Sequence, residues 1–392
     1  MSERYQASPE GFRHARVREI LFVAGEVSGD LHAAGVARAL KERGAPYQLT
    51  AVGGDQLRDA GAELIAHIEG LAVMGFIEPL KRLPKYRALL NELTRRIQSG
   101  NVALVVLIDH AAFNMRVASA AAHAKIPVLY FITPQVWASR PGRMAQLAQT
   151  VTKAAVILPF EEKPLRANGV DATFVGHPLL DRAAALPTKE AARARLGLGA
   201  GDRVLALFPG SRAQEIKRHL DPFVATAREL QRRIPGLKVI VSAAPHIEID
   251  PARCPFETVH SESFTLLRAA DAALCKSGTT TLEAAVAGCP LAVAYRARSF
   301  DYAVGKWLVK IPHIGLVNIV AGKLVAPEFI QDALEPKAVA DAVEPLLHLD
   351  SPERKAMVAE LDAVRASLGT PGAAERVADI AMDLIRRGAD GR

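Results

Sequence analysis

Lys276-Ser277-Gly278-Thr279-Thr280-Thr281-Leu282-Glu283 sets small hydroxyl residues and a glycine between an apolar run, Ala272 to Cys275, and a helix-like segment. A second apolar run, Leu291 to Ala294, follows Gly288 and Pro290. The pattern is strand, turn, helix, strand, with the turn at a helix N-terminus, where free N–H groups and the helix dipole favour a phosphate. Glu283 comes one helical turn later and can accept hydrogen bonds from a sugar hydroxyl. A nucleotide diphosphate is therefore the first ligand this turn suits. A well-capped helix in an α/β core is the plainer alternative.

Pro209-Gly210-Ser211-Arg212 repeats the theme after the apolar run Val204 to Phe208. Gly210 permits close backbone approach, Ser211 can cap the next helix, and Arg212 supplies a fork of donors suited to a diphosphate. An ordinary turn with a solvated arginine has the same spelling. Both turns fall at strand C-termini of the same half of the chain, where α/β sheets place ligands, and together they strengthen the nucleotide reading.

The first half offers different chemistry. Gly25-Glu26-Val27-Ser28-Gly29-Asp30 is a strand-to-helix turn without the GxGxxG spacing, and Glu26 and Asp30 would repel a pyrophosphate. It suits a hydroxyl-rich acceptor better, or else Ser28 or Asp30 is simply a cap. Asp109 ends the most apolar run of the chain, Val102 to Ile108, with Phe113-Asn114 following. A carboxylate leaving such a strand is partly desolvated, its pKa should rise, and it could act as a general base; a helix-capping aspartate would look identical.

Other chemistries find less support. His110, His123, His177 and His313 form no HxxH or HExxH pattern, which predicts structural or solvent-facing roles and no metal. Glu248-Ile249-Asp250 resembles the acidic triplet of metal-dependent sugar transferases, but Pro251 follows and no further acid joins it. An NAD-dependent oxidoreductase needs GxGxxG with a downstream acid, which neither half has in place. A non-catalytic nucleotide-binding module stays open. The segment Leu71 to Leu90 mixes apolar residues, including Val73, Met74 and Phe76, with Lys81, Arg82, Lys85 and Arg87. It reads as an interfacial segment on an anionic membrane or as an amphipathic core helix with a solvated basic face.

The elements that must position these residues are legible as continuous apolar strands alternating with helices. Strands over 20–24, 47–52, 102–108 and 127–131 predict a parallel sheet covered on both faces; the alternation restarts after 179–188, with strands at 204–208 and 239–242 and on either side of the Ser277 turn. The fold expected is α/β: two Rossmann-like domains, 18–180 and 181–345, a ligand cleft between them, and a helical C-terminal segment over 346–392. The 392 residues suffice for two cores, and the formal charge of +7 favours anionic partners. No nucleic-acid motif accompanies that charge, so nucleic acid is not expected. Cys254, Cys275 and Cys289 are odd in number, and the apolar surroundings of the last two predict buried thiols in a reducing compartment. Residues 1–18 lack the apolar centre of a signal peptide, and no apolar run reaches membrane-spanning length.

With these motifs in place the chain resembles the lipid-A-disaccharide synthases, glycosyltransferases of the two-Rossmann GT-B type. The resemblance runs from about Ile20 to Leu347. It rests on Ala24 to Asp30, Leu71 to Gly75, Ile108-Asp109 with Phe113-Asn114, Pro134 to Ala138, Leu158 to Glu161 and Val175 to Pro178. It continues through Pro209 to Arg212, Ser277 to Thr279 with Leu282-Glu283, and Val317-Asn318 with Ala321-Gly322. It implies transfer of 2,3-diacylglucosamine from UDP-2,3-diacylglucosamine to the 6-hydroxyl of 2,3-diacylglucosamine 1-phosphate (lipid X), giving a β-1,6 disaccharide and UDP with inversion.

On that resemblance Asp109 is the base and Arg212 the essential arginine near the diphosphate. Gly210, Ser211, Ser277, Gly278, Thr279 and Glu283 line the UDP-sugar site, while Glu26, Ser28, Asp30, Asn114 and Asn318 belong to the acceptor side. Val73, Met74, Phe76, Lys81 and Arg82 are weighted towards lipid or membrane contact. No metal or cofactor is implied. A homodimer exchanging C-terminal segments is, as is peripheral association with the cytoplasmic face of the inner membrane. The same architecture also serves UDP-sugar 2-epimerases and other nucleotide-sugar enzymes. Three positions depart from the family pattern: Ala112 replaces a second acid, Ser139 a second tryptophan, and Lys276 a small residue.

Overall fold

The computed structural model describes residues 18–70, 79–134, 141–260, 262–297 and 312–390. Met1–Pro134, Ala145–Ala155 and Ala374–Arg392 form one compact unit, and Gln135–Met144 with Val156–Ala373 form a second. The first seven strands are β1 (Glu19–Ala24), β2 (Gln48–Gly53), β3 (Glu63–His67), β4 (Val102–Ile108), β5 (Val128–Phe131), β6 (Lys153–Val156) and β7 (Ala172–Phe174). They lie in the order β3-β2-β1-β4-β5-β6-β7, and the residues of β7, the outermost strand, group with the second unit. The other sheet comprises β8 (Val204–Phe208), β9 (Lys238–Ala243), β10 (Glu257–His260), β11 (Ala272–Lys276), β12 (Leu291–Tyr295) and β13 (Glu328–Ile330), in the order β10-β9-β8-β11-β12-β13.

Composition explains the sheets. Every residue of β1 and β4 is buried, because helices cover both faces of a parallel sheet and leave no polar side for alternation to serve. β1 pairs in parallel with β2 and β4, and β8 with β9 and β11. Strand order therefore reverses between β1 and β4 in one sheet, and between β8 and β11 in the other. Right-handed crossovers send the chain to opposite faces on either side of such a reversal and leave the carboxyl ends of the two central strands uncovered.

The helix Ala373–Asp390 lies on the first unit of its own chain: Ala374 faces Gly35, and Arg43 Nε donates to Asp379 Oδ1 at 2.7 Å. The helix Pro352–Ser367 stays with the second unit. Cys254, Cys275 and Cys289 are buried free thiols, and burial pushes the Cys289 thiol up to about 12.

The second unit is pinned at its amino-terminal sheet edge by one buried carboxylate. Asp271 accepts from Arg193 at 2.9 Å, from Lys189 Nζ at 2.7 Å and from the Val204 N–H at 2.9 Å, joining the helix Lys189–Arg195 to the starts of β8 and β11. Arg193 is buried with it and also donates to the carbonyls of Ala269, Gly199 and Ala200. Asp271→Ala would leave this guanidinium buried without its counter-charge and is expected to cost about 3–5 kcal/mol in urea unfolding.

Candidate active site

The two phosphate-suited turns sit side by side. Cys275 of β11 pairs with Phe208 of β8, so the Gly210 and Ser277 turns leave adjacent strand ends at the reversal of strand order. Gly210 has φ +134°, and a Cβ there would lie 2.5 Å from the Glu215 Cβ. Glu215 occupies that space because it caps its own helix, Ala213–Arg233: its Oε2 accepts from the Ser211 N–H at 2.9 Å and the Arg212 N–H at 3.3 Å. Lys276 Nζ donates to Glu215 Oε1 at 2.9 Å, and the Arg212 guanidinium lies 3.5 Å from the same oxygen with its side chain 70% exposed. Burial opposes ionisation of Glu215, but the hydrogen bond and charge of Lys276 outweigh it and hold the carboxyl below its ordinary pKa.

Next to the turns, Ser277 Oγ donates to the Ile314 carbonyl at 2.7 Å, and Thr281 Oγ1 to the Gly278 carbonyl at 2.9 Å. Thr279 is the N-cap of the helix Thr280–Ala287, which carries Glu283 in its first turn. Glu283 is buried and accepts from Arg182 at 3.1 Å; the Arg182 guanidinium in turn stacks over Phe264, 4.6 Å from the ring centre. Asn318 is spent on the backbone and on the Glu328 side chain. Its amide donates to the Ala326 carbonyl and Glu328 Oε1, both at 2.8 Å, and accepts from the Val325 and Ala326 N–H groups.

The first unit concentrates strain at the corresponding edge. Asp109 (φ 48°) and His110 (φ 45°), after β4, and Ile132 (φ 59°), after β5, all lie in the left-handed region that side chains avoid. Surrounding contacts impose this. Asn114 Nδ2 donates to the carbonyls of Val23, Ile108 and Asp109, and Tyr130 Oη donates to the Asp109 carbonyl at 2.7 Å. The His110 ring stacks against Tyr86 and lies where a Cβ on Gly25 would fall, 2.4 Å from Cγ. Burial and the neighbouring charge of Glu26 raise the Asp109 carboxyl above its ordinary pKa; burial lowers that of His110.

The buried side-chain polar atoms without a partner among the described residues are His110 Nδ1, Asn114 Oδ1 and Thr133 Oγ1, all at the carboxyl ends of β4 and β5. Unsatisfied buried polar atoms are rare, and a cluster of them at one sheet edge fits a place where a polar ligand binds. Glu26 and Ser28 are exposed beside it on the turn after β1. Asp30 is otherwise engaged. Its carboxylate accepts from the N–H groups of Gly54 (2.7 Å), Gln56 (3.0 Å) and Leu57 (3.2 Å), capping the helix Asp55–Asp59.

Val73, Met74 and Phe76 lie outside the described residues, as does Ser139. Lys81 and Arg82 fall in the helix Pro79–Gln98, whose later part buries Leu89, Leu93 and Ile97 and exposes Lys85 and Arg87. Among the described residues no group of three or more His, Cys, Asp or Glu side chains could hold a metal ion, and no helix is long and apolar enough to cross a membrane. A cavity of about 660 Å3 opens at the opposite, amino-terminal edge of the second sheet, lined by Lys189, Arg193, Arg203 and Asp271. Lys189 and Arg193 are committed to Asp271, so its volume does not make it the active site.

Sequence reasoning missed Glu215, Arg182 and His110. Glu215 was visible as an acid three residues after Arg212, the spacing of a capping box; Arg182 carried no local signal.

A model of the lipid-A-disaccharide synthetase family matches residues 20–374. The chain is 40% identical over 376 residues to the lipid-A-disaccharide synthase of Anaeromyxobacter sp. strain K, covering 94% of this chain and 98% of that one. It is 40% identical over 377 residues to the lipid-A-disaccharide synthase of Syntrophus aciditrophicus strain SB, with the same coverage. Solved structures similar in fold include the glycotransferase of kitacinnamycin (TM-score 0.64, 18% identity, 94% of this chain and 99% of that one). The UDP-GlcNAc 2-epimerase of Neisseria meningitidis bound to UDP-GlcNAc is another (TM-score 0.62, 13% identity, 93% and 100%). The two-sheet architecture is that of the GT-B glycosyltransferases.

Because the His110 ring fills the space beside Gly25, Gly25→Ala is expected to push that ring out. The expected loss is about 1–3 kcal/mol of stability, measured by thermal or urea unfolding.

Proposed function

The chain belongs to the lipid-A-disaccharide synthase family, glycosyltransferases that form the lipid A disaccharide, and from that premise we propose how its two units divide the reaction. The second unit holds UDP-2,3-diacylglucosamine. The Ser277, Gly278 and Thr279 turn and the helix N-terminus behind it take the diphosphate, with Gly210 and Ser211 shaping the neighbouring turn. Arg212 pairs with the phosphate oxygens, and Glu283 accepts from the ribose hydroxyls.

The first unit presents 2,3-diacylglucosamine 1-phosphate, with Glu26, Ser28 and Asn114 on the acceptor side and Asp109 as general base. Asp109 takes the proton of the 6-hydroxyl as that oxygen attacks the anomeric carbon. The bond from that carbon to the diphosphate breaks, and UDP leaves with the electron pair, its charge met by Arg212 and the helix N-terminus. Attack opposite the departing group inverts the centre and gives the β-1,6 linkage. The observation that carries this reading is the edge beyond β4 and β5, where a desolvated carboxyl of raised pKa stands among unpartnered polar atoms. Ala112 supplies no second acid on the segment after Asp109, so Asp109 carries the base role, with Glu26 kept on the acceptor side.

Both substrates carry acyl chains, so the reaction belongs at a membrane surface. The exposed Lys85 and Arg87 and the formal charge of +7 support peripheral binding to an anionic membrane, the cytoplasmic face of the inner membrane. A homodimer is part of the same proposal.

The assay is UDP release and disaccharide formation from UDP-diacylglucosamine and the monosaccharide phosphate. Asp109→Asn is expected to lower kcat by about 10²–10⁴-fold and Arg212→Ala by about 10²–10³-fold, with unfolding transitions unchanged. Asp109 works deprotonated. With its pKa raised in the folded protein, kcat/KM of the wild type should fall as pH drops through a value above the ordinary carboxylate range near ~4, and Asp109→Asn should lose that limb. Near wild-type rates in both variants would contradict the mechanism, and conversion of the donor with no acceptor present would point to an epimerase.

A further inference from the structure

We propose that Lys276 is a diphosphate-binding residue of the donor site, held between the Gly210 and Ser277 turns by Glu215; this rests on the nucleotide-sugar reading of that site. Lys276 is the last residue of β11, and its amine curls over the turn that follows, 3.8 Å from where a Cβ on Gly278 would lie. It meets Glu215 from the helix after β8 at 2.9 Å, so the pair spans the gap between the two uncovered strand ends. Both side chains are mostly buried, 18% and 15% exposed, and the amine sits 6.0 Å above the Tyr295 ring at the end of β12. The helix carrying Glu215 is itself tied to that strand end: His219 Nδ1 meets the Glu215 carbonyl at 2.8 Å, and Nε2 accepts from the Arg296 N–H at 2.9 Å.

This arrangement does more than brace the fold. An ammonium has three donors, and Glu215 Oε1 takes one. Glu215 Oε2 is satisfied separately by the Ser211 and Arg212 N–H groups, so the carboxylate does not depend on Lys276 alone for its hydrogen bonds. Among the described residues Lys276 makes no second hydrogen bond, and its remaining donors can reach a phosphate oxygen over the Ser277 turn without breaking the pair. Charge points the same way. Lys276 and Arg212 together exceed Glu215 by one positive charge at the place where a diphosphate brings two negative ones and gains a third as the sugar departs. A lysine and a glutamate serving only as a brace would leave Arg212 as the one cationic side chain of these two turns to meet that charge, with the helix N-terminus.

The test is calorimetric titration of the full chain with UDP, UMP and uridine. Lys276→Met should weaken UDP at least about tenfold, as expected for a lost hydrogen bond to a charged group, and leave uridine unchanged, with UMP between. Lys276→Arg, which restores the charge, should bring UDP affinity most of the way back. Thermal unfolding checks that the variants fold, and Lys276→Gln replaces Lys276→Met if the latter does not. If UDP and uridine weaken by the same factor, or UDP does not weaken at all, Lys276 is a brace only and the proposal fails. If the folded wild-type chain binds neither UDP nor uridine, the donor reading itself is wrong.

Discussion

The proposed site depends on one topological constraint, the reversal of strand order inside a parallel sheet. Crossovers of one hand must leave β1 and β4, and likewise β8 and β11, towards opposite faces. At those two reversals adjacent strands end without a helix crossing over their carboxyl ends. The turns after all four strands carry most of the residues proposed for the reaction: Gly25 to Ser28, Asp109 to Asn114, Gly210 to Arg212 and Ser277 to Thr279. The strands deliver them rigidly, because β1, β4 and β8 are buried along their whole length and β11 nearly so.

The two units meet the cost of a working site in different currencies. In the first it is conformational and dielectric: consecutive left-handed residues, a carboxyl and an imidazole shifted towards their neutral forms, and buried polar atoms without partners. Asn114 and Tyr130 grip the strained carbonyl, and the absence of a Cβ at Gly25 admits the His110 ring. In the second unit the cost is charge, and side chains neutralise it. Glu215 is answered by Lys276, and Glu283 by Arg182. A general base gains from desolvation, whereas a site for a diphosphate needs cations kept in place until the ligand arrives.

The strands that bury both faces could be read directly as apolar runs, and so could the turns between them. The edge strands could not. β3, β7, β10 and β13 are short or only partly buried, and β6 is a four-residue Lys-Ala-Ala-Val segment, so none carries a continuous apolar signal. Site residues divide the same way. Asp109 was legible because it ends a wholly apolar strand. Asp30 and Asn318 were legible only as polar residues near turns. What their side chains bond is decided by contacts such as Asp30 with Gly54, 24 residues away, which no local pattern records. Arg182 is invisible for the same reason, since it reaches Glu283 across 101 residues. His110 lies beside a residue that was singled out. Its burial against Gly25 and Tyr86 exists only once β1, β4 and the helix Pro79–Gln98 are assembled.

The central claim is that the reversal between β8 and β11 holds the nucleotide while that between β1 and β4 supplies the base. A crystal structure of the full chain with UDP tests it most directly. The account predicts diphosphate density over Ser277 to Thr279 with the ribose at Glu283, and an empty Gly25 to Asp30 turn. UDP bound at the turn after β1, or in the cavity beside Lys189 and Arg193, would contradict it.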